Sequence, residues 1–509
     1  MGIEEFPSEK FIPVGISKDG TYGKISEKGR GYFRDAMLRF RKNRSSVAAA
    51  YIILFLVLFA LFSPIISPYG INDKDTVYTG FPPYLEKASW LPLGLFDGGT
   101  VRTGQSEAQL AALRAIGEET GMDPVIKIKD REETVTKFRG EERRTVTYAL
   151  RVNKYYEVGI MFRVMSPEEF LRIQEYQNKT GLQIIYPYTD RAIIGAAAAS
   201  PNVWYRVSDT KGTPLLDSDG ELIPAYSTDK STEGAPYNSI RIEGDDGELI
   251  YSRQKSGAVE CRVCYYNYYI FQNGHPPTFP LGTNSLGQDL FSAIGIGARF
   301  SLLFALIVSA LNLIIGTVYG AVQGYYGGTV DLVLDRAADI LSGMPFIVVA
   351  TLFQLHLASR VGTVGSFLFA FVLTGWIGMA ALTRKQFYRF KGREFVLAAR
   401  TLGASDRRLM VRHIFPNAIG TLITSCALII PGVISSETTF SYLGIINLSE
   451  FAGTSLGTLM SQGQTSMTTS PHAMLFPALY FSLLLISFNL FGNGLRDAFD
   501  PRVRGAEDL

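Results

Sequence analysis

The feature that most constrains this chain is a set of long apolar runs, one near its start and five after residue 299. The first run, residues 46–66, has about twenty residues without a charge, which as a helix would span a hydrocarbon core ~30 Å thick. The other runs cover approximately 300–326, 336–357 (with Pro345 inside it), 363–382, 419–445 and 474–492. Together they predict an α-helical polytopic membrane protein with six transmembrane helices.

The first run, which we assign to a transmembrane helix over 46–67, differs from a secretory signal peptide. It begins too late and is too long for a signal peptide, and no small-residue cleavage site follows it. We therefore interpret it as an uncleaved membrane anchor.

Lys and Arg residues predict the orientation of the helices. They are frequent before the first run, between the fourth and fifth runs and after the sixth, whereas residues 447–471 contain neither. Because loops rich in Lys and Arg remain in the cytoplasm, we predict that both termini, 1–45 and 496–509, are cytoplasmic. The same rule places the loop 383–416 inside.

The alternation of sides places residues 71–280 outside the cytoplasm, as a domain inserted between the first and second helices. This segment carries 24 Lys and Arg against 29 Asp and Glu, so its net charge of −5 offsets +7 on the remainder. It is long enough to form its own core. We predict that it caps the external ends of the membrane helices and contacts an external protein that supplies a ligand, or the ligand that this protein holds.

The patterns inside this insertion mix helices and strands. Residues 107–119 and 167–178 are typical of helices, the second with Ser166 as N-cap. Residues 134–164 alternate and are rich in β-branched and aromatic side chains, which indicates strands. Residues 208–247 have the composition of loops. An extracytoplasmic α/β or α+β domain is the prediction.

Residues 29–44, GRGYFRDAMLRFRKNR, interleave apolar and basic side chains before the first run. The pattern favours an amphipathic helix at the inner membrane face, with its basic residues toward anionic headgroups. The alternative is a short solvated helix packed on the protein.

Enzyme motifs are absent from the sequence. It has no phosphate-binding G-x-x-x-x-G-K-[ST] loop, no H-E-x-x-H motif and no G-x-S-x-G motif, and its four histidines are scattered. The near-neutral charge does not favour a nucleic-acid binder. We predict no catalytic activity, no metal site, no bound cofactor and no nucleic-acid partner for this chain.

The most informative stretch lies in the basic loop, where residues 391–420 read KGREFVLAARTLGASDRRLMVRHIFPNAIG. The pattern predicts a short helix over 394–402 that carries the small residues Ala398 and Ala399 and ends at Gly403. Ser405 or Asp406 can cap the next helix. A short helix with a small-residue face between two membrane entries is suited to docking into a groove of another protein.

This loop resembles the "EAA" loop of ABC-importer permeases. Ala398, Ala399, Gly403 and Pro416 fall on that pattern, whereas Leu397, His413 and Phe415 depart from it. The flanking AARTLGASD and RHIFPNA are similar to the oligopeptide/dipeptide branch, as are LGTNSLGQDLFSAIGIGARFSL, GYYGGTVD, SSETTFSYLGI and FNLFGNGLRDAFDPRVR. The resemblance covers roughly residues 30–70 and 275–505 and favours the C-type subunit; it does not extend to the insertion.

The resemblance implies a type I importer permease fold, in which residues 281–495 form the core with helices 2–6. It also implies the partners: a homologous second permease, two cytosolic ATPases that hold ATP and magnesium, and an extracytoplasmic peptide-binding protein. The chain would then form half of the pathway in the cell membrane of a prokaryote. Coupling to the ATPases would involve Glu394, Ala398, Ala399, Gly403, Ala404 and Ser405.

Three other functions remain open at this stage. The same architecture could import nickel or another small solute. An ion-gradient-driven secondary transporter or channel is a different class, although no chain of intramembrane acids is evident. A receptor anchored by six helices is the third.

A few polar residues fall within or beside the apolar runs. Since charges near hydrocarbon are costly, Asn312, Asp339, Glu437 and Asn489 are candidates for the pathway or for intramembrane contacts. For Asp335, Arg336 and Asp339 we favour pairing at the cytoplasmic membrane face. Glu437 could line the pathway or pair with an Arg or with the partner permease.

Cys261 and Cys264 form a C-R-V-C sequence in the insertion, followed by four tyrosines between 265 and 269. A disulfide is possible in an oxidising compartment, but positions i and i+3 of a straight strand face opposite sides, so a turn would be needed. A local disulfide and two free thiols therefore both remain possible. We interpret the tyrosines as strand packing or as a belt at the membrane surface.

Overall fold

The computed structural model describes residues 32–91, 94–138, 141–190, 200–207, 213–219, 221–223, 226–227, 240–242, 249–446 and 453–499. Two helices open it, α1 (Tyr32–Lys42) and α2 (Arg44–Ile66), joined at Asn43, whose side chain accepts a hydrogen bond from the Ser46 amide. This capping bond satisfies one of the amides that a helix start leaves unpaired. The predicted tail 500–509 and residues 29–31 lie outside the described residues.

Helix α1 packs on the protein through one face. Ala36 and Phe40 are buried, and Phe40 meets Phe491 edge to face at 5.4 Å between ring centroids. Met37 and Leu38 on the other face are exposed. Helix α1 therefore contacts the protein through one face and exposes apolar residues on the other.

Helix α7 (Leu290–Tyr326) is longer than the second apolar run, because it begins ten residues earlier. Asp289 caps it by accepting from the amides of Phe291 and Ser292. Arg299, inside this helix, donates from Nε to the carbonyl of Ala60 in α2 at 2.7 Å. The guanidinium is therefore held by backbone acceptors.

The predicted third span is wrong at its start. Residues 336–342 belong to a separate amphipathic helix, α8 (Gly328–Ser342), and Pro345 is the N-cap of the next helix, α9 (Phe346–Gly375). Proline suits a helix start because its missing amide is not needed there. The prediction that Pro345 lies inside a span is therefore wrong.

Helix α9 folds back on itself at Gly362, whose φ of 80° and ψ of 162° are not helical. Phe346 packs against Phe371 at 4.7 Å between ring centroids, and Ser366 Oγ donates to Gln354 Oε1 at 2.8 Å. In a straight helix, residues 12 and 25 positions apart would be ~18 Å and ~38 Å apart. The two arms on either side of Gly362 are therefore antiparallel.

Six more helices and a short π-helical segment follow α9 among the described residues. They are α10 (Ile377–Lys391), α11 (Glu394–Thr401), α12 (Asp406–Arg408), the π-helical segment Leu409–Ile414, α13 (Phe415–Tyr442), α14 (Leu456–Thr465) and α15 (His472–Phe499). Among the described residues, five continuous stretches are long and apolar enough to cross a membrane: Arg44–Ile66, Leu290–Tyr326, Phe346–Lys391, Asp406–Tyr442 and His472–Phe499. The chain thus has the fold of a helical membrane protein, and this count does not confirm six spans.

Close contact between α7 and α10 depends on three glycines spaced four residues apart, Gly316, Gly320 and Gly324. A Cβ at Gly316 would lie 2.6 Å from the Trp376 carbonyl oxygen, and one at Gly324 would lie 2.6 Å from the Arg384 carbonyl oxygen. A Cβ at Gly320 would overlap the Ala380 carbonyl oxygen. Small residues at this spacing let two helices in a membrane approach closely.

Between α2 and α7 the described residues form a unit of helices and strands, called the α/β unit below. Its strands are β1 (Gly99–Ser106), β2 (Val125–Phe138), β3 (Glu141–Asn153), β4 (Ile160–Met165), β5 (Ile185–Tyr186), β6 (Thr189–Asp190), β7 (Tyr226–Ser227), β8 (Ile240–Ile242), β9 (Ser252–Lys255) and β10 (Ala258–Cys264). They form three sheets, with strand orders β1-β3-β2, β4-β10-β5 with β9 also on β10, and β6-β8-β7.

The helices of this unit are α3 (Glu107–Thr120), α4 (Lys154–Glu157), α5 (Pro167–Thr180) and α6 (Tyr265–Asn273). Ser106 and Gln109 form a capping box at the start of α3. Ser166 caps α5, as predicted, by accepting from the Glu169 amide. The interpretation of the tyrosines after Cys264 as strand residues is wrong, because they form α6.

The α/β unit is joined to the membrane helices by a short backbone bridge and an aromatic core. Tyr84 and Phe279 exchange two backbone hydrogen bonds, of 2.8 and 2.9 Å. Tyr84 also stacks on Tyr155 at 4.6 Å, and Tyr69, just after α2, stacks on Phe279 at 4.6 Å. The two ends of segment 85–278 therefore lie side by side.

Candidate coupling site

The helix predicted around residues 394–402 is present as α11. Arg393 is extended before it, the helix ends at Thr401, and Gly403 has a φ of 84°. Because a side chain would strain this left-handed conformation, glycine is well suited to turn the chain there. Ser405 precedes α12 in the N-cap position, although its side chain makes no capping hydrogen bond.

One face of α11 is anchored in the protein by Val396. This side chain is fully buried in an apolar cluster with Phe387 of α10, Leu409 and Ile414 of the π-helical segment and Tyr325 near the end of α7. The anchor therefore connects α11 to the ends of three long helices. Ala399 and Ala404 of the predicted coupling residues pack against the same cluster.

The opposite face of the loop is exposed and partly apolar. Leu402 is 88% exposed, and Phe395 and Leu397 are 43% and 46% exposed. The predicted coupling residues Glu394, Ala398, Gly403 and Ser405 are also exposed. Leu402 is not among the coupling residues predicted from the sequence, although an apolar residue directly before a helix-ending glycine is a signal that could have identified it.

Polar contacts of Tyr325 tie both ends of the loop to α7. Its hydroxyl donates to the Asp406 carboxylate, and Arg400 donates to the Tyr325 hydroxyl at 3.1 Å. Lys391 Nζ donates to the Tyr325 carbonyl at 3.4 Å. The end of α7 is thus bonded to residues before, within and after α11.

A charged cluster links α8 and α10 beside the loop. Arg384 bonds Asp331 at 2.6 Å and Asp335 at 2.8 Å, and the Tyr388 hydroxyl donates to Asp331 at 2.7 Å. Partial burial raises the pKa of Asp331, but the hydrogen bonds and the Arg384 charge outweigh it and lower the pKa below its usual range. The predicted pairing of Asp335 is therefore with Arg384.

The segment after α11 enters α13 through the π-helical turn Leu409–Ile414. Pro416 lies at the start of α13 and has no amide hydrogen to donate to a preceding carbonyl. Single π-helical turns occur where the regular hydrogen-bond ladder is interrupted. His413 and Phe415, the departures from the family pattern, are both half-buried at this junction.

Of the four polar candidates in the helices, Glu437 is the most enclosed. It is completely buried, and its carboxylate accepts from Ser301 at 2.7 Å and from Ser441 at 3.0 Å. Hydroxyl donors of α7 and α13 therefore satisfy it, and no Arg is bonded to it among the described residues. Glu437 therefore lies between α7 and α13 inside this chain.

The other three candidates lie apart from Glu437. Asn312 is buried against Gly375, where its Oδ1 has no hydrogen-bond partner. Asp339 is exposed and pairs with Arg336 at 3.0 Å, one turn away on α8. Asn489 is exposed on α15 and bonds the Leu485 carbonyl. The structure therefore does not bring these four residues together in one site.

Cys261 and Cys264 are both buried free thiols on the continuous strand β10. The strand pairs in regular register with β4 and has no turn between the two residues. The disulfide considered from the sequence is therefore not formed in this structure. Burial raises the pKa of the Cys261 thiol to about 12 and that of Cys264 to about 11.

Metal-binding clusters are not found among the described residues, since no three His, Cys, Asp or Glu side chains converge there. The arrangement instead defines a membrane protein with a small exposed helix fixed to the ends of its long helices. Such an arrangement can transmit movement, because a rigid element displaced by a partner displaces the helices bonded to it.

Two family models match the sequence. Residues 313–505 match the binding-protein-dependent transport system inner membrane component, and residues 31–83 match the N-terminal TM domain of oligopeptide transport permease C. The first range contains the whole of α11 and its anchors on α10 and α13. Residues 84–312 lie between the two ranges.

Curated relatives agree with these models. The oligopeptide transport system permease protein OppC of Bacillus subtilis is 38% identical over 223 residues, which are 44% of this chain and 72% of that protein. The dipeptide transport system permease protein DppC of the same organism is 35% identical, covering 44% and 68%. The chain therefore belongs to the family of binding-protein-dependent ABC transporter permeases.

A solved structure of the MetNI methionine ABC transporter in an inward-facing conformation also matches. The match has a TM-score of 0.34 and 13% sequence identity, and it covers 40% of this chain and 96% of that chain.

Proposed function

We propose that this chain is a permease subunit of an ATP-driven importer that receives oligopeptides or dipeptides from a binding protein. The names of the relatives support the substrate class. The observation that carries the coupling role is the exposed apolar face of α11, because its opposite face is fixed to α7, α10 and the π-helical segment.

We propose that the chain crosses the membrane six times, with the two arms of α9 on either side of Gly362 counted separately. The antiparallel contacts between those arms support this count. Both termini and α11 would then be cytoplasmic, and segment 71–280 would be extracytoplasmic. The basic residues around α11 and their absence from 447–471 are consistent with this orientation.

The partners in this proposal are a second, homologous permease, two cytosolic ATPases and the extracytoplasmic peptide-binding protein. ATP and magnesium would be bound by the ATPases, since this sequence has no phosphate-binding motif. Each permease would form half of the pathway. Closure of the ATPases would displace α11, and the Tyr325 contacts would carry that displacement into α7.

The test is uptake by the reconstituted complex. Proteoliposomes with all four membrane and ATPase subunits, the binding protein and internal ATP should accumulate labelled trialanine, and vesicles without this chain should not. Parallel assays of nickel uptake, and of uptake driven by an ion gradient, distinguish the two alternative transport functions. Accumulation that needs an ion gradient but not ATP would contradict the proposal.

We further propose that the α/β unit contacts the binding protein or its peptide at the external mouth. The bridge between Tyr84 and Phe279 allows a sharp test, because residues 85–278 can be replaced by a short Gly-Ser linker between adjacent ends. The permease that lacks residues 85–278 should still assemble with its partners, but it should accept peptide from the binding protein more slowly. Delivery at the normal rate would contradict this role.

A further inference from the structure

A polar cavity lies where the α/β unit meets the ends of the membrane helices. It has a volume of about 460 Å³, within the ~300–1,000 Å³ of small-molecule sites. It is bounded by the segment after α2, by β4, by α6 and by the start of α7. Its acidic and basic lining residues come from four parts of the chain: Asp73, Lys74, Asp75, Arg163, His275 and Asp289.

Arg163 is the cation fixed in the wall of this cavity. Its guanidinium lies over the rings of Tyr265 and Tyr268, at 5.5 and 5.1 Å from their centroids. Its Nε is buried and has no hydrogen-bond partner. Arg163 as a whole lines the cavity, and a guanidinium donates to a carboxylate in a fork geometry, so this wall is suited to a carboxylate.

The three carboxylates of the cavity differ in how their oxygens are used. Asp75 accepts from the Tyr265 hydroxyl at 2.8 Å and from the Val77 amide at 2.8 Å. Asp289 accepts from Ser67 at 2.6 Å and also caps α7.

Asp73 is the exposed carboxylate of the three. It accepts from the Gly70 amide through Oδ2 at 2.7 Å. Its Oδ1 has no hydrogen bond to the described residues, which leaves an acceptor for a cationic group of a ligand.

We propose that this cavity binds a short peptide with free termini, its carboxylate at Arg163 and its ammonium group at Asp73. The proposal rests on the proposed function and adds a binding site on the extracytoplasmic face of this subunit. A free amino acid has the same two charged groups, but the cavity volume of about 460 Å³ favours a peptide.

The test uses the purified full chain in lipid nanodiscs and trialanine as the probe, with binding measured by titration calorimetry. Arg163→Gln and Asp73→Asn should each weaken trialanine binding about tenfold or more. The matched control is Arg172→Gln, because Arg172 is exposed on α5 and does not line the cavity. It should leave the affinity within about twofold of the unmodified chain.

Blocked peptides assign each end. Trialanine amide lacks the carboxylate, so Arg163→Gln should not weaken its binding further, whereas Asp73→Asn should. Acetyl-trialanine lacks the ammonium group, and the pattern should reverse. Titration with alanine in place of trialanine distinguishes a free amino acid from a peptide, since both carry a carboxylate and an ammonium group. Equal affinities for alanine and trialanine would overturn the peptide assignment. Arg163→Lys is a further control. It retains the positive charge and so separates loss of charge from loss of the packing on Tyr265 and Tyr268.

Three results would overturn the proposal: no binding of trialanine to the unmodified chain, an affinity in both variants equal to that of the unmodified chain, or losses that do not depend on the blocked termini. If Arg163→Gln or Asp73→Asn still binds trialanine normally but no longer binds the binding protein, the cavity is a contact site for that protein, and the proposal is overturned. Failure of the proposed function is a separate outcome, since the reconstituted complex would then not accumulate peptide at all.

Discussion

The hydroxyl of Tyr325, at the end of α7, donates to the carboxylate of Asp406, at the start of α12, and so bridges the two sides of the exposed helix α11. The two residues are 81 positions apart in the chain. Arg400 of α11 donates to the same hydroxyl. A single phenol therefore joins a long membrane helix to the loop that we propose contacts the ATPases.

Replacing Tyr325 with Phe should uncouple transport while leaving the fold intact. The change removes hydrogen bonds to two charged groups, each worth roughly 1.5–3 kcal/mol, but keeps the ring in its apolar cluster. Peptide accumulated per ATP hydrolysed should fall roughly tenfold in proteoliposomes. The matched control is Tyr326→Phe, because Tyr326 is 53% exposed. Equal coupling ratios in the two variants would refute the role of the Tyr325 hydroxyl.

Replacing Gly320 with Ala should destabilise the contact between α7 and α10. The new Cβ would overlap the Ala380 carbonyl oxygen, and overpacking of this kind costs about 1–3 kcal/mol. Thermal unfolding in detergent, followed by far-UV circular dichroism, should show a lower midpoint.

The matched control for Gly320→Ala is Gly432→Ala, at an exposed position of α13 where a Cβ meets nothing within 4 Å. Alanine is the better helix former by about 1 kcal/mol, so this variant should be unchanged or more stable. A midpoint for Gly320→Ala at or above that of the unmodified chain would show that the two helices do not need the glycine.

The thiols of Cys261 and Cys264 should resist alkylation in the folded chain. Because burial raises their pKa values to about 12 and about 11, roughly one thiol in a thousand or fewer is ionised near pH 8, against about one in ten for an ordinary thiol. Mass spectrometry after brief maleimide treatment should find both unmodified until the chain is unfolded.

The exposed control for these thiols is Ser89→Cys in the same unit, which should react at once.

The two thiols should also make the stability of the fold depend on pH. Since their pKa values in the folded chain lie above those in the unfolded chain, the unfolded state loses protons first as the pH rises above about 9. The free energy of unfolding should therefore fall between about pH 9 and 12. Rapid labelling of Cys261 or Cys264 in folded protein, or a disulfide between them, would contradict this account.

The sequence was sufficient for the elements whose signals are local. The run 46–66 predicted α2, Ser166 and the following apolar pattern predicted α5, and the small residues before Gly403 predicted α11. Each of these depends on residues that are neighbours along the chain. Helix caps and uninterrupted apolar runs are signals of this kind.

The remaining features depend on contacts between distant residues. The gap between the apolar runs 336–357 and 363–382 placed a boundary near Gly362, but hydropathy could not show that the two arms pack antiparallel, which depends on contacts such as that of Phe346 with Phe371. Tyr265 and its neighbours have strand propensity, yet contacts with Tyr78 and Tyr84 hold them in α6. Tertiary packing overrode propensity there. The link between Tyr325 and Asp406 likewise has no signature in either segment alone.

The most direct test of coupling through α11 compares two exposed leucines. Leu402→Arg places a charge on the apolar face of the loop, and Leu171→Arg makes the same change on α5, where the leucine is 57% exposed. In proteoliposomes with both ATPases and the binding protein, Leu402→Arg should lower ATP-driven peptide uptake to about a tenth or less, while Leu171→Arg should stay within about twofold of the unmodified complex. Equal uptake by both variants would contradict the central claim that this face of α11 docks on the ATPases.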